Sequence, residues 1–312
     1  MGFPKKDEVR MTYRDILNES ARRAGNCACV GLDPRPGNLP RKIVMDAGDH
    51  HGNLVRFFSI LLKEAARRNL KPAAFKPNIG YWQCLDAPRK GDYQGSRALA
   101  DVLDMVEELF PGVPVILDSK RGDIASSSTN YAHEAFNSWG AHAVTVSPYM
   151  GSDSVEPFAS VGGRHRGVYV LNRTSNRGAQ DFQGMDVRDR NDSGEKKEPL
   201  YMAVARRIVT WEKTYGGTLG AVVGATSPAE LGALASFYAD HEIPLLIPGV
   251  GSQGAGATDT VSLLRDSGYP VELARINSSS GITMPWKDTP APDSWEDMCM
   301  DAWSRLLEET VL

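Results

Sequence analysis

The chain has 312 residues, 41% hydrophobic and 24% charged, ample material for the core of a globular protein. A formal net charge of -4 gives no basic footprint for nucleic acid, and no apolar run is long enough to span a membrane. Cys27, Cys29, Cys84 and Cys299 lack metal-ligand CxxC spacing and the opening MGFPKKDEVRMTYRD lacks an apolar signal core, so a cytoplasmic setting is expected.

Residues 10–25 read as a helix outside the main repeat, within an N-terminal helical extension (1–26) that would cover one end of the fold. Eight short apolar runs then follow: 27–34, 73–78, 113–120, 143–149, 167–174, 219–226, 244–251 and 271–278. Helix-like segments separate them, such as 54–68, where Leu54, Phe57, Phe58, Leu61 and Leu62 recur at helical spacing, and 98–110. Ser227-Pro228 reads as an N-cap followed by a first-turn proline, and residues 185–198 (MDVRDRNDSGEKKE) as an exposed polar insertion on a loop. Nearly continuous apolar strands alternating with helices predict a parallel sheet covered by helices. Eight units close an α/β, (β/α)8 TIM barrel as a single domain over 1–312; an open doubly wound sheet is the alternative.

In such a barrel every strand's C-terminal end opens on one face, where active sites sit. Those ends carry Asp33, Lys76, Asn78, Asp118, Lys120, Ser147, Arg173 and the segments PGVGSQG and Asn277-Ser278-Ser279. Asp118 and Lys120 are two apart, so both side chains take the same face, and Lys76 lies on the preceding strand. An alternating Lys–Asp–Lys array keeps each member ionised, which suits the lysine to protonating a developing carbanion. A structural ion-pair network is the other reading of the same residues. Glycines in PGVGSQG would let backbone N–H groups approach an anion, with a helix beginning just after.

These residues resemble the orotidine 5'-phosphate decarboxylases, in particular their longer bacterial-type subfamily. CVGLDPRP, FKPNIGYW, VILDSKRGDI, TVSPYMG, LNRTSNRGA, VVGATSPAEL, PGVGSQG and INSSSGI occur in family order. The resemblance implies a homodimer with shared active sites, converting orotidine 5'-phosphate to uridine 5'-phosphate without metal or cofactor. Carried over by position, Lys76, Asp118, Lys120 and Asp123 would form a charged tetrad, with Asp123 reaching into the partner's site beside Ser127. Asp33 would bind the ribose, Ser147 the pyrimidine, and Gln253, with Gly251 in its loop, would lie toward the phosphate.

One position departs from the family pattern. Ser280 stands where the family has a phosphate-gripping arginine. Arg177, Arg275 or Lys287 could compensate, the chain could be a weakened or inactivated nucleotide-binding form, or the substrate could differ. Related phosphosugar decarboxylases and aldolases hold magnesium on carboxylates, with an acidic residue where this chain has Lys76; a lysine there would repel the metal.

Overall fold

A computed structural model describes residues 11–45, 48–188, 197–251 and 256–312. Eight parallel strands form one sheet: β1 (Ala28–Gly31), β2 (Ala74–Lys76), β3 (Ile116–Arg121), β4 (Ala143–Val146), β5 (Gly167–Arg173), β6 (Leu219–Val223), β7 (Leu245–Ile247) and β8 (Ala274–Ser278). Their order is β2-β1-β8-β7-β6-β5-β4-β3. The two ends of that order meet through the bridges Phe75–Val115 and Asn78–Asp118. The Phe75 amide donates to the Pro114 carbonyl at 3.0 Å and the Asp118 amide to that of Pro77 at 2.9 Å. The sheet therefore closes into a barrel, and the open doubly wound alternative is excluded.

Two apolar layers hold it together. Inside, Cys29, Ala74, Ile116, Ala143, Tyr169, Val222 and Leu246 pack with Tyr13 and Leu17 of the first helix, α1 (Tyr13–Ala24). Thr12 and Asp15 cap α1 reciprocally, and Gly25 ends it in the left-handed conformation at φ 70°. Its fit against the barrel depends on Gly167, where a Cβ would lie 2.1 Å from the Tyr13 ring. The predicted N-terminal helix thus plugs the N-terminal end of the barrel and leaves the opposite mouth to polar residues.

Outside, helices wrap the strands. The apolar stripe read at 54–68 belongs to α2 (His50–Arg67), whose Leu54, Phe57, Phe58, Leu61 and Leu62 are all buried. Each such side chain contributes about 1.5–3 kcal/mol by leaving water. The predicted strands overrun at their C-terminal ends: the run 244–251 is strand only over Leu245–Ile247, and 143–149 only over Ala143–Val146. Those overruns are the polar loops of the mouth. Ser227 precedes the helix Pro228–Ala239 as expected, but its side chain makes no capping hydrogen bond. At the 185–198 insertion, Asp186–Val187 pairs antiparallel with Glu198–Pro199, while residues 189–196 of that expectation lie outside the described ones.

Candidate active site

The charge cluster at the end of β3 divides into two parts. Arg121 turns away from the barrel axis: its Nη2 donates to both carboxylate oxygens of Glu134 at 3.0 Å, and its guanidinium lies 4.6 Å from the Tyr131 ring centroid. Asp118 and Lys120 turn inward. Lys76 Nζ donates to Asp118 Oδ2 at 3.0 Å, and Lys120 Nζ to Asp118 Oδ1 at 2.6 Å. One carboxylate therefore sits between two ammonium groups. The two lysines are not equivalent: the Lys76 side chain is 5% exposed and that of Lys120 46% exposed, so Lys120 alone offers its ammonium to the mouth.

The electrostatics follow from this packing. Burial alone would push the Asp118 carboxyl up, but Lys76, Lys120 and the hydroxyl of Thr145 outweigh it and hold the group well below the usual carboxylate range. Burial likewise opposes the charge on Lys76, yet Asp118 and Asp33 raise its pKa above the usual lysine range. Asp118 and Lys76 are thus both ionised throughout the neutral range. Removing either member of the buried pair would strand its partner's charge, at about 3–5 kcal/mol.

Thr145, which sequence reading did not single out, holds this arrangement. Its hydroxyl donates to Asp118 Oδ1 at 2.8 Å and accepts the amides of Ser119 at 3.0 Å and Lys120 at 2.9 Å. Both amides reach one oxygen because the β3–β4 register shifts between Leu117 and Arg121, and Lys120 adopts φ 48°. A left-handed lysine beside a bulge is a costly conformation of the kind that recurs at functional sites. The signal available in the sequence was alternation: Thr145 lies two residues before Ser147, on the same face.

Asp33 extends the site toward strand eight. Its Oδ1 accepts the Asn78 amide at 2.8 Å, and its Oδ2 accepts the Ser279 hydroxyl at 2.6 Å. Asn78 also reaches Asp118 Oδ2, at a long 3.5 Å, so a polar path links Asp118 to Asp33. The approach of Ser279 requires Gly31, where a Cβ would stand 2.4 Å from that of Ser279. Next to Asp33 lies a cavity lined by Arg35, Tyr81, Pro248, Asn277, Ser279 and Ser280.

The other expected residues fall in different places. Ser147 follows β4, its amide donating to the Arg121 carbonyl at 2.7 Å. Gly251 takes φ 82° after β7, as a glycine readily does, and Gln253 lies outside the described residues. Among the described residues Asp123 makes no hydrogen bond or ion pair with Lys76, Asp118 or Lys120 of its own chain; its carboxylate accepts its neighbour Ile124's amide at 2.8 Å, one turn before Ser127 on the helix Ala125–His133. Arg177 lines a separate cavity with Arg173, Asn176, Gln180 and Thr226, beyond β5 and β6 and across the mouth from Ser280. Arg275 is fully buried near the opposite end of the barrel, donating to the carbonyls of Leu17 at 2.6 Å, Ala274 at 2.6 Å and Glu272 at 2.9 Å. It is a structural cation and cannot stand in for an arginine at 280. Lys287 does line a cavity with Ser280.

Residues 90–266 match the Orotidine 5'-phosphate decarboxylase / HUMPS family. The orotidine 5'-phosphate decarboxylase of Dechloromonas aromatica (strain RCB) is 38% identical over 278 residues, 89% of this chain and 92% of that protein.

The chain belongs to this family.

Solved structures agree with the family fold. Leishmania donovani OMP decarboxylase is 30% identical with a TM-score of 0.68, covering 96% of this chain and 99% of that one. Leishmania donovani UMP synthase is 32% identical with a TM-score of 0.68 over 95% of this chain, which spans 56% of that longer protein. Like these family members the chain is an α/β barrel, and among the described residues no helix is long and apolar enough to cross a membrane.

Proposed function

We propose that the chain decarboxylates orotidine 5'-phosphate to uridine 5'-phosphate, the carboxy-lyase step of pyrimidine nucleotide synthesis, using its own side chains without metal or cofactor. The observation that carries this reading is the Lys76–Asp118–Lys120 array, in which one ammonium is buried and the other faces the mouth. In the reaction the bond between C6 and its carboxyl carbon breaks and carbon dioxide leaves. The electron pair stays on C6, in an orbital the ring delocalises poorly. Lys120 Nζ stabilises that charge and gives C6 its proton. Asp118, fixed as an anion, opposes the substrate carboxylate and holds Lys120 in line, while Lys76 keeps Asp118 charged. Catalysis then rests on preorganised charge rather than on reorganisation during the reaction.

Asp33 would take the ribose hydroxyls, as an acceptor already aligned by Asn78 and Ser279, and Ser147 would contact the pyrimidine. Asp123 and Ser127 would complete the site of a partner subunit in a homodimer. In support, Asp123 lies apart from its own triad, beside Ile124, 55% exposed, and Tyr149 after β4 is 90% exposed. A magnesium-dependent phosphosugar reaction is disfavoured, because the Lys76 ammonium already takes the carboxylate that a cation would need.

Decarboxylation of orotidine monophosphate by the purified chain, beside Lys120→Ala, tests the proposal. The variant should lose turnover and keep its fold, since its side chain is half exposed. Near-normal turnover would remove Lys120 as the proton donor. Mixing Asp123→Ala with Lys120→Ala chains should restore part of the activity; no recovery after proven subunit exchange would refute a shared site.

A further inference from the structure

Ser280 leaves the proposed site without the family's phosphate cation, and the structure offers a substitute from a different strand. Arg35 follows β1, two residues beyond Asp33. It lines the cavity shared by Asp33, Ser279 and Ser280, and also a second one with Gly251, Ser280, Lys287 and Arg305. Lys287 and Arg305 line only the second. Arg35 is therefore the cation common to the sugar-side cavity and to the surroundings of Ser280. Among the described residues its guanidinium makes no hydrogen bond or ion pair.

The backbone presents this side chain from a stiff segment. Pro34 and Pro36 flank it, and a residue before proline is restricted to extended conformations; Arg35 has φ -132° and ψ 90°. The following turn is tied down: the Asn38 amide donates to the Arg35 carbonyl at 2.9 Å. Asn38 Nδ2 then donates to the Lys287 carbonyl at 2.7 Å, and Trp286 Nε1 to the Asn38 carbonyl at 3.1 Å. The loop after β1 is thus bound to the segment that follows Ser280, and Arg35 stands beside the position of the missing arginine.

We infer that Arg35 grips the 5'-phosphate of the nucleotide, replacing from the first βα loop the arginine absent at position 280. This rests on the proposed decarboxylase reading. A guanidinium can meet two phosphate oxygens at once, and that of Arg35 has no partner among the described residues. The grip is specific to the phosphate: a nucleoside without it gains nothing from Arg35.

The test pairs variants with substrates. Arg35→Ala should raise KM for orotidine monophosphate about 10–100-fold, leave kcat/KM for orotidine within twofold, and be rescued at least tenfold by a second change, Ser280→Arg. An unchanged KM for the nucleotide, or an equal loss with orotidine, overturns the inference while the decarboxylase reading stands. If the wild-type chain does not decarboxylate orotidine monophosphate, that reading fails, and calorimetric affinities for uridine monophosphate and uridine decide on Arg35. The wild-type preference for the phosphorylated ligand should then collapse in Arg35→Ala; a preserved preference, or no binding of uridine monophosphate by the wild type, overturns the inference.

Discussion

Thr145→Val exchanges one hydroxyl for a methyl of similar shape in a residue that is 1% exposed. Three bonds go with the hydroxyl: a donation to Asp118 and the acceptance of two amides, those of Ser119 and Lys120. A hydrogen bond to a charged group is worth about 1.5–3 kcal/mol, and a buried amide left unpaired costs about 1–3 kcal/mol. Ser119 and Lys120 lie near the surface of the mouth, where water can take up their amides, so the sum falls at about 2–4 kcal/mol. At roughly 2.1 cal/mol/K per residue the 312 residues unfold with about 0.65 kcal/mol/K, which puts the drop in Tm at about 3–6 °C. The rate should suffer separately. Thr145 pins the bulge that carries Lys120, and a misplacement of about 1 Å costs on the order of 100-fold in catalysis. We expect kcat for orotidine monophosphate to fall roughly 30–100-fold with KM changed less than threefold, while Thr145→Ser, which keeps the oxygen, stays within about threefold of wild type. Thermal melts and steady-state decarboxylation measure both. If valine leaves kcat and Tm unchanged, Thr145 does not organise the site; if serine is as slow as valine, packing of the methyl matters and the hydroxyl does not.

Two further outcomes follow from single positions. Gly31→Ala would put a methyl 2.4 Å from Ser279 Cβ and 2.9 Å from its Cα, contacts that only a backbone shift relieves. The variant should lose about 1–3 kcal/mol in urea unfolding and raise KM, because Ser279 is pushed off Asp33; wild-type values for both would show that the strands have slack. His142 is half-buried immediately before β4, and burial, with Arg166 nearby, lowers its pKa to about 4. The unfolded chain therefore binds the proton first, and stability falls as pH drops from about 6.5 toward 4. His142→Gln should flatten the stability–pH slope in that window, as followed by denaturant titrations at each pH; an unaltered slope would assign it to other groups.

Much of the site was legible because parallel barrels map sequence ends to one place. The apolar runs ending in Asp33, Lys76 and Asp118 imposed both the fold and the side on which those groups would meet. Strand alternation brought Lys120 to the Asp118 face, though by a route it did not foresee. Lys120 is reached through a bulge with φ 48°, and the hydroxyl that stabilises that bulge comes from the neighbouring strand. Cross-strand register of this kind has no local signature. The cation candidates for position 280 illustrate the same limit. Arg275 lies five residues before Ser280 and shares a strand face with Asn277, yet its place at the start of β8, where it donates to the Leu17 carbonyl of α1, holds it at the opposite end. Arg35, far from 280 in sequence, becomes its neighbour once β1 pairs with β8.

The sequence by itself determined the strand count, the polar mouth, the plug helix and the identity of the charged residues, since periodicity and strand ends are local properties of the chain. Only the tertiary structure decided which lysine is buried and which faces outward, that Thr145 and Asn78 join the array, and that Arg35 rather than Arg177 borders Ser280. Those depend on register between strands remote in sequence and on the competition between burial and opposite charge. Both are settled only when the barrel closes.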